Sequence, residues 1–403
     1  MMKKPLEGML VVDLTTFVAA PTAARLLADM GARVIKIEPP KGDAWRANGL
    51  NQGAPQLKPN ENPIFDLYNN GKDLISLNLK SEEGMQIMLE LLSKADVFIT
   101  NNRPASLERM GLDYETLHAK FPRLIYGIVL GLGEKGPEAH KKAFDTTAFW
   151  SRSGFLRDQA IVMEDGQYQP VNPPSSVGDS YTGTVLALEV MAAILQRQES
   201  GLGQKVSSTL YHVGTFAMAT MIVRYQDEFG ANAPDTRINV RHGGGAFECA
   251  DGHWLYSAAD SSTIFTMAGH PEYHEQACAM VLGSLERRTH VYHKLVECFK
   301  LKTRQQWLDE LEPLDTPTVA LPHFSEVSRD PQAWANDFIR NVEYPTGYTH
   351  RVPTTFFEME CMKPLDLHPT KAVGEDTAKV LAELGYSEAQ IKAMIEAGSV
   401  VTN

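Results

Sequence analysis

The residues of this 403-residue chain that could carry chemistry are carboxylates at helix starts, a run of glycines, spaced histidines and scattered cysteines. Asp179, in SVGDSYTG, stands just before an Ala-rich stretch of helical pattern that begins near Tyr181. Two readings fit it. As an N-cap, its side-chain oxygen takes spare backbone N–H groups. As a nucleophile, it is kept ionised by those same donors and by the positive end of the helix dipole. Asp145, in AFDTTAFW, has a similar cap reading, and Asp165, in EDG, reads as a turn. RHGGGAF sets Gly243, Gly244 and Gly245 in succession. Glycine is conformationally costly, so the run fits either a surface loop or a mobile flap that closes over a reactive centre.

Other motifs carry less. GLGEKG (131–136) follows a strand and matches G-x-G-x-x-G, but Pro137 comes at once, where a dinucleotide site needs an apolar helix. It reads as a turn. His270 and His274 are spaced i, i+4, yet Pro271 between them favours a solvated helix start, and His290 and His293 read as surface residues. No metal site is expected. Cys249, Cys278, Cys298 and Cys361 are widely spaced with no C-x-x-C, so they read as buried free thiols. No G-x-S-x-G occurs and no cysteine has an activating context, which leaves the carboxylates as candidate nucleophiles.

The elements that must position these residues alternate strand and helix. MLVVDL (9–14) is a short apolar run typical of a buried parallel strand. A helix with Pro21 in its opening turn runs through AARLLADM to Gly31, and ARVIKIE follows as a second strand that Pro39 and Pro40 end. KSEEGMQIMLELLSKA (80–95) reads as a helix with Ser81 as N-cap, and DVFIT and LIYGIVL as further strands. The spacing predicts an α/β fold with an open, doubly wound parallel sheet and ligands at the carboxyl ends of its strands. Further on, helices are expected over 181–198 and about 211–225, with a turn and strand in SGLGQKVSSTL between them. The polar stretch EFGANAPDTRINVRHGGG reads as a domain crossing. We place a large domain over 1–225, a smaller α+β domain over 226–325 with a hairpin turning at Asp251-Gly252, and a return to the large domain over 326–403. The tail ends in a helix capped by Ser387, with Gly398 past its end.

Composition narrows the class. A length of 403 residues suits two domains. The net charge of -12 argues against a general nucleic-acid binder, although local Arg, Lys and backbone N–H groups can still hold phosphate. No apolar run approaches the roughly 18 residues of a membrane span, and MMKKPLEGMLVVDL lacks the apolar segment and cleavage site of a signal peptide. A cytoplasmic protein is expected.

The opening PLEGMLVVDLTTFVAAPTAARLLADMGARVIKIEPPKGDAWR resembles that of the class III CoA-transferase family, the formyl-CoA transferase and carnitine CoA-transferase type. The likeness continues through NNGKDLISLNLKSEEG, ADVFITNNRPASLERMGLDYETL, PRLIYGIVLGLGEKGP, PPSSVGDSYTGTVLAL and ESGLGQKVSSTL to LAELGYSEAQI, covering the chain in order. AFDTTAFWSRSG, QAWANDF and EYPTG look closest to the branch acting on 2-hydroxyacyl-CoA and aryl-lactate substrates. The resemblance implies a homodimer of two ring-shaped chains threaded through each other, each with a Rossmann-like large domain built from both chain ends.

It also implies a coenzyme A site. Phe17 and Val18 match positions lining the cofactor; Asn101, Asn102 and Arg109 match positions at its nucleotide end; Leu77 matches a residue beside the adenine; and Lys142 matches a lysine near the cofactor. Pro39 and Leu130 replace basic residues of formyl-CoA transferase, so a phosphate contact is expected to move to Lys41 or Arg46. Leu132 replaces a tyrosine of its oxalate region, which makes oxalate a poor substrate. Gly178-Asp179 matches the family's nucleophile, and Asp145 an acidic position close to it. The implied activity is transfer of coenzyme A between an acyl-CoA and a small carboxylic acid, through an aspartyl thioester and with no metal. Two rivals share the fold: an α-methylacyl-CoA racemase, which needs a His–Asp acid/base pair where this chain has Phe144-Asp145, and a CoA-binding protein without activity.

Overall fold

In a computed structural model, the structure describes residues 3–48, 61–163, 167–226, 245–274, 285–362, 367–369 and 371–403. The chain divides into two compact units, Met1–Ala219 with Trp334–Asn403, and Thr220–Ala333.

The first unit is built on a seven-stranded sheet. Its successive elements are β1 (Leu10–Leu14), α1 (Ala19–Asp29), β2 (Arg33–Glu38), α2 (Trp45–Asn48), α3 (Pro63–Asn69), β3 (Asp73–Leu77), α4 (Glu82–Lys94), β4 (Val97–Thr100), α5 (Pro104–Met110), α6 (Tyr114–Lys120) and β5 (Ile125–Leu130). A π-helical turn (Asp145–Ser151), α7 (Phe155–Asp158) and the short antiparallel pair β6 (Ile161–Val162) and β7 (Tyr168–Gln169) follow. The long α8 (Val177–Ser200) then leads to β8 (Lys205–Thr209) and α9 (Leu210–Ala217).

Side chains alternate across each strand, so an apolar run feeds both faces of a sheet. Val12, Phe98, Tyr126 and Ile128 face one core with α4 and α6, while Val11, Val97, Ile99 and Ile125 face another with α1 and α8. That two-sided burial is the signature of a doubly wound sheet. α1 and α8 approach closely because Gly183 carries no side chain: a Cβ there would lie 2.2 Å from the Ala19 carbonyl oxygen.

The helix ends follow their capping residues. Ser81 accepts from the Gly84 N–H at 3.1 Å, as expected of an N-cap, and Ser387 forms a capping box with Gln390 ahead of the helix Glu388–Glu396. Two expectations are corrected. α8 starts at Val177, four residues before Tyr181, and the apolar stretch expected as one helix over 211–225 breaks at Met218 into α9 and α10 (Ala219–Arg224).

The second unit holds an antiparallel sheet of β9 (Gly245–Glu248), β10 (Trp254–Ser257) and β11 (Thr318–Ala320). Phe247, Leu255, Phe299 and Trp307 fill its core against the helices Leu285–Phe299 and Arg304–Leu311. The β9–β10 hairpin turns at Asp251-Gly252, where Gly252 takes a φ of 74°.

Back in the first unit, the hairpin of β12 (Ile339–Glu343) and β13 (Thr349–Pro353) precedes the last strand, β14 (Val400–Val401). The sheet order is β14-β3-β2-β1-β4-β5-β8, parallel except that β14 runs antiparallel to β3. Connections leave β1 in opposite directions along the sheet, so a crevice opens beyond the carboxyl ends of β1 and β4.

Candidate active site

The crevice begins with the turn after β1, which is held under strain. Phe17 has a φ of 62°, a left-handed conformation unfavourable for a residue with a Cβ. Its neighbours over-determine it. The Thr16 N–H donates to Asn101 Oδ1 at 3.0 Å, and Asn101 Nδ2 donates to the Thr16 carbonyl at 2.8 Å. Thr16 Oγ1 donates to Asp43 Oδ1 at 2.6 Å, and Lys36 Nζ donates to the Thr15 carbonyl at 2.8 Å. Lys36 is wholly buried, and its Nζ lies 2.9 Å from Asp43 Oδ2. Burial opposes its charge, but Asp43, Asp13 and Glu38 together hold its pKa above the usual lysine value. This buried pair fixes the turn that presents Phe17 and the start of α1. Its one trace in the sequence is a lysine inside the apolar run RVIKIE, since a buried ammonium demands a partner.

Across the crevice lies the start of α8. Ser176 precedes it with a φ of 70° and makes no side-chain cap. The capping is done from outside by Asp145. Its Oδ2 accepts from the Ser176 N–H at 3.0 Å and from Trp150 Nε1 at 3.2 Å, and its Oδ1 accepts from the Asp179 N–H at 3.2 Å. Gly178 makes room: a Cβ there would lie 2.3 Å from Asp145 Oδ1 and 2.2 Å from the Phe149 ring. The cap reading of Asp145 is therefore right in kind, but the helix it serves is α8 and not its own.

Asp179 is not a cap. It sits in the first turn of α8, half-buried, and no hydrogen bond to its carboxylate is seen among the described residues. Burial, and then the charge of Asp145, push its pKa up to about 7. The helix-end donors that were expected to keep it ionised have gone to Asp145. Asp145 itself is also raised, by burial, against the pull of Trp150 and the three N–H groups of Ser176, Gly178 and Asp179. The result is a half-buried carboxylate with no hydrogen bond to it among the described residues, beside a fixed, hydrogen-bonded one. Such a group is a stronger nucleophile than a solvated aspartate.

Aromatic side chains surround the pair. Phe17 meets Phe144 and Trp45 with ring centroids 6.0 and 5.8 Å apart, and Phe149 meets Tyr181 at 6.2 Å. Tyr68 lies on α3, and burial pushes its phenol pKa up. Nothing in the sequence marked Tyr68, because a tyrosine in an amphipathic stretch is most simply core.

The remaining candidates fall in several places. Val18 is buried at the start of α1. Asn102 spends its Nδ2 on the Leu14 carbonyl at 3.1 Å, so both asparagines brace the end of β1 in this structure. Arg109 and Lys142 are exposed. Leu77 is 1% exposed, enclosed in the core at the end of β3. Arg46 is mostly committed: its guanidinium donates to Glu38, at 2.7 and 2.8 Å, and from two nitrogens to the Lys371 carbonyl, at 3.1 Å, which leaves one Nη1 proton unspent. Lys41 is exposed. Gly243, Gly244 and Asp165 lie outside the described residues, and Gly245 is not a flap residue but the first of β9, paired with Ser257.

The weak motifs resolve to local structure. GLGEKG forms bends with no helix behind it. His270 pairs with Glu272 Oε1 at 2.9 Å on the surface. Cys249 and Cys298 are buried free thiols, Cys361 is partly buried, and Cys278 lies outside the described residues. Among the described residues, no cluster of three His, Cys, Asp or Glu could hold a metal, and no helix is long and apolar enough to cross a membrane.

Comparison with known proteins agrees with the geometry. The model of the family described as CoA-transferase family III matches residues 6–377. The chain is 37% identical to the (R)-2-hydroxy-4-methylpentanoate CoA-transferase of Clostridioides difficile, covering 96% of this chain and 97% of that one. It is 33% identical to the cinnamoyl-CoA:phenyllactate CoA-transferase of Clostridium sporogenes, covering 96% and 95%. The crystal structure of a CAIB/BAIF family protein from Brucella suis has the same fold, with a TM-score of 0.78 at 24% identity over 95% of this chain and 100% of that one.

Proposed function

This chain belongs to CoA-transferase family III and is a CoA-transferase, and from that premise we propose that it moves coenzyme A between small carboxylic acids through Asp179. The observation that carries this reading is the half-buried Asp179 carboxylate, raised to about 7 and with no hydrogen bond to it among the described residues.

The Asp179 carboxylate attacks the thioester carbonyl, the C–S bond breaks, and a mixed anhydride and CoA thiolate result. The thiolate attacks the aspartyl carbonyl, releasing the donor acid as its carboxylate and leaving an aspartyl-CoA thioester. The acceptor carboxylate attacks that thioester and regenerates thiolate and anhydride. The thiolate then takes the acceptor acyl group, and Asp179 returns as carboxylate. No proton is transferred, so no general base is required. Each tetrahedral intermediate carries an oxyanion. The N–H groups near Val18 are the donors we assign to it, because α1 has no side-chain cap and packs against α8 one turn beyond Asp179.

Coenzyme A would lie along the crevice past Phe17 and Val18, with Asn101, Asn102, Arg109 and Lys142 toward the nucleotide end. Phe149, Trp150, Leu130 and Leu132 favour a non-polar acyl chain, which agrees with the relatives named for 2-hydroxy-4-methylpentanoate and phenyllactate. A racemase is disfavoured because Phe144 stands where its histidine is needed. Incubation with an acyl-CoA panel should leave a CoA adduct on the peptide carrying Asp179, sensitive to hydroxylamine and borohydride. Little deuterium should enter the α-carbon. Rapid α-exchange without an adduct is the result that sinks the transferase reading in favour of the racemase.

We further place the protein in the cytoplasm, as a homodimer with interlocked chains. Two features support the dimer. The first unit uses both ends of the chain, with the second unit inserted between them. On it, Leu188, Leu195 and Phe216 are exposed, and Leu188 and Phe216 line an apolar cavity of about 600 Å³ with Leu26 and Met191. Sedimentation equilibrium should give twice the chain mass of 44.6 kDa; a single-chain mass excludes the assembly.

A further inference from the structure

We propose that Trp150 is a positioning residue for acyl transfer: its indole N–H holds Asp145 against the start of α8, so that Asp179 is kept from capping its own helix. This deepens the proposed function and rests on Asp179 as the acylated residue. Three observations carry it.

The first is what Asp145 replaces. In a capping box the cap side chain accepts the N–H of the third helical residue, whose own side chain reaches back to the N–H of the cap. Ser176 is the cap of α8, and Asp179 is its third residue. Both donors of the box go to Asp145 instead. The Ser176 N–H donates to its Oδ2 at 3.0 Å, and the Asp179 N–H to its Oδ1 at 3.2 Å. The donor that a capping Asp179 would use is already taken.

The second is the backbone that brings Trp150 to Asp145. Residues five apart on an α-helix point about 140° away from each other. The turn Asp145–Ser151 is π-helical, and its i→i+5 bonding brings such residues onto one side. Trp150 stands five residues after Asp145, and its Nε1 donates to Asp145 Oδ2 at 3.2 Å. Ser151 stands five after Thr146, and its Oγ donates to the Thr146 carbonyl at 2.6 Å. The oxygen that takes the Ser176 N–H is thus the one that Trp150 holds. π-Helical turns are rare and are frequent at functional sites.

The third is that the turn has little room to shift. Trp150 is 7% exposed and meets Phe149 and Phe155 edge-on, with ring centroids 5.4 and 4.7 Å apart. α9 presses on the turn at Gly214, where a Cβ would lie 2.7 Å from the Phe149 carbonyl oxygen. The indole N–H is the one donor of that side chain, and this packing fixes its direction. Without it the Asp145 carboxyl loses the side-chain bond to its own turn and can rotate away from α8. The freed Ser176 N–H is then open to Asp179, which becomes a cap in place of a nucleophile.

The test removes the N–H and keeps the shape. Trp150→3-benzothienylalanine puts sulfur where the indole nitrogen stands, in a fused ring of the same form, and Trp150→Phe is the simpler variant. Each is made in wild type and in Asp145→Asn. The acyl-CoA that labels wild-type Asp179 fastest among acetyl-, 4-methylpentanoyl- and cinnamoyl-CoA serves as donor. Single-turnover adduct formation gives a maximal rate and a half-saturating concentration. We expect both substitutions to lower the maximal rate about tenfold in wild type, the size of one hydrogen bond, with half-saturation within about twofold. In Asp145→Asn they should change the rate by less than about twofold, because a residue that acts through another is not additive with it. A full rate in the sulfur isostere, a change confined to half-saturation, or the same fold loss in both backgrounds overturns the assignment while leaving Asp179 acylation intact. Absence of any Asp179 adduct in wild type overturns the function on which the assignment rests, and the assignment with it.

Discussion

Asp179→Asn is expected to abolish transfer and to stabilise the protein. Loss of a covalent nucleophile typically lowers turnover by about 10⁴-fold or more, because no other group can form the intermediate. The CoA adduct should vanish with it. The stability gain follows from the raised pKa. An aspartate whose value rises from 3.8 in the unfolded chain to about 7 in the folded one opposes folding once it is charged. Its contribution is most favourable below pH 3.8 and is lost as pH rises through about 7. A shift of that size is worth a few kcal/mol at most, and relaxation around the site will return part of it. An uncharged asparagine of the same shape escapes the penalty. Denaturant unfolding at pH 8 should show the variant more stable by about 1–3 kcal/mol, with the difference disappearing near pH 4. A variant equally stable at pH 8, or one retaining transfer, contradicts the placement of a half-buried, reactive carboxylate here.

Asp145→Asn separates the two carboxylates. Burial is the larger cause of the raised Asp179 value and remains; the Asp145 charge is the smaller cause and is removed. The acid limb of the kcat/KM profile should therefore move to lower pH, so the variant gains relative to wild type on the acid side. It should also lose stability. Asp145 accepts from the N–H groups of Ser176 and Asp179 and from Trp150 Nε1, and an amide offers only one oxygen to them. A stranded buried donor costs about 1–3 kcal/mol. An acid limb that stays in place or moves upward would show that Asp145 acts only as a helix cap.

The sequence carried much of this site but not its wiring. The strands of the sheet were legible because a strand buried on both faces needs a continuous apolar run, and LVVDL, VFIT and IYGIVL are such runs. Ser81, Ser387 and Asp251-Gly252 were legible because caps and tight turns are local. What pairs with what at long range was not. The start of α8 depends on Asp145, supplied by another element 34 residues away, so local pattern put it too late. The resemblance implies a cofactor contact at Asn101; its second role, bonding the backbone of Thr16 85 residues earlier, is one that spacing cannot show. Arg46 is expected as a phosphate contact, and nothing local shows that the carbonyl of Lys371, 325 residues on, takes part of its guanidinium.

The sheet's outer border has a bearing on how the polypeptide is made. β3 is sealed by β14, and the Leu74 N–H is bonded to Asp376 Oδ2, 302 residues later, at 2.8 Å. A ribosome delivers the N-terminal half long before those closing residues emerge. Through that interval β3 presents a row of unpaired amides and carbonyls, the kind of border that recruits strands from other molecules. Such distant pairings also slow folding. Nascent chains should therefore need shielding until translation is almost complete, and removing the last few residues would harm yield more than their small area implies.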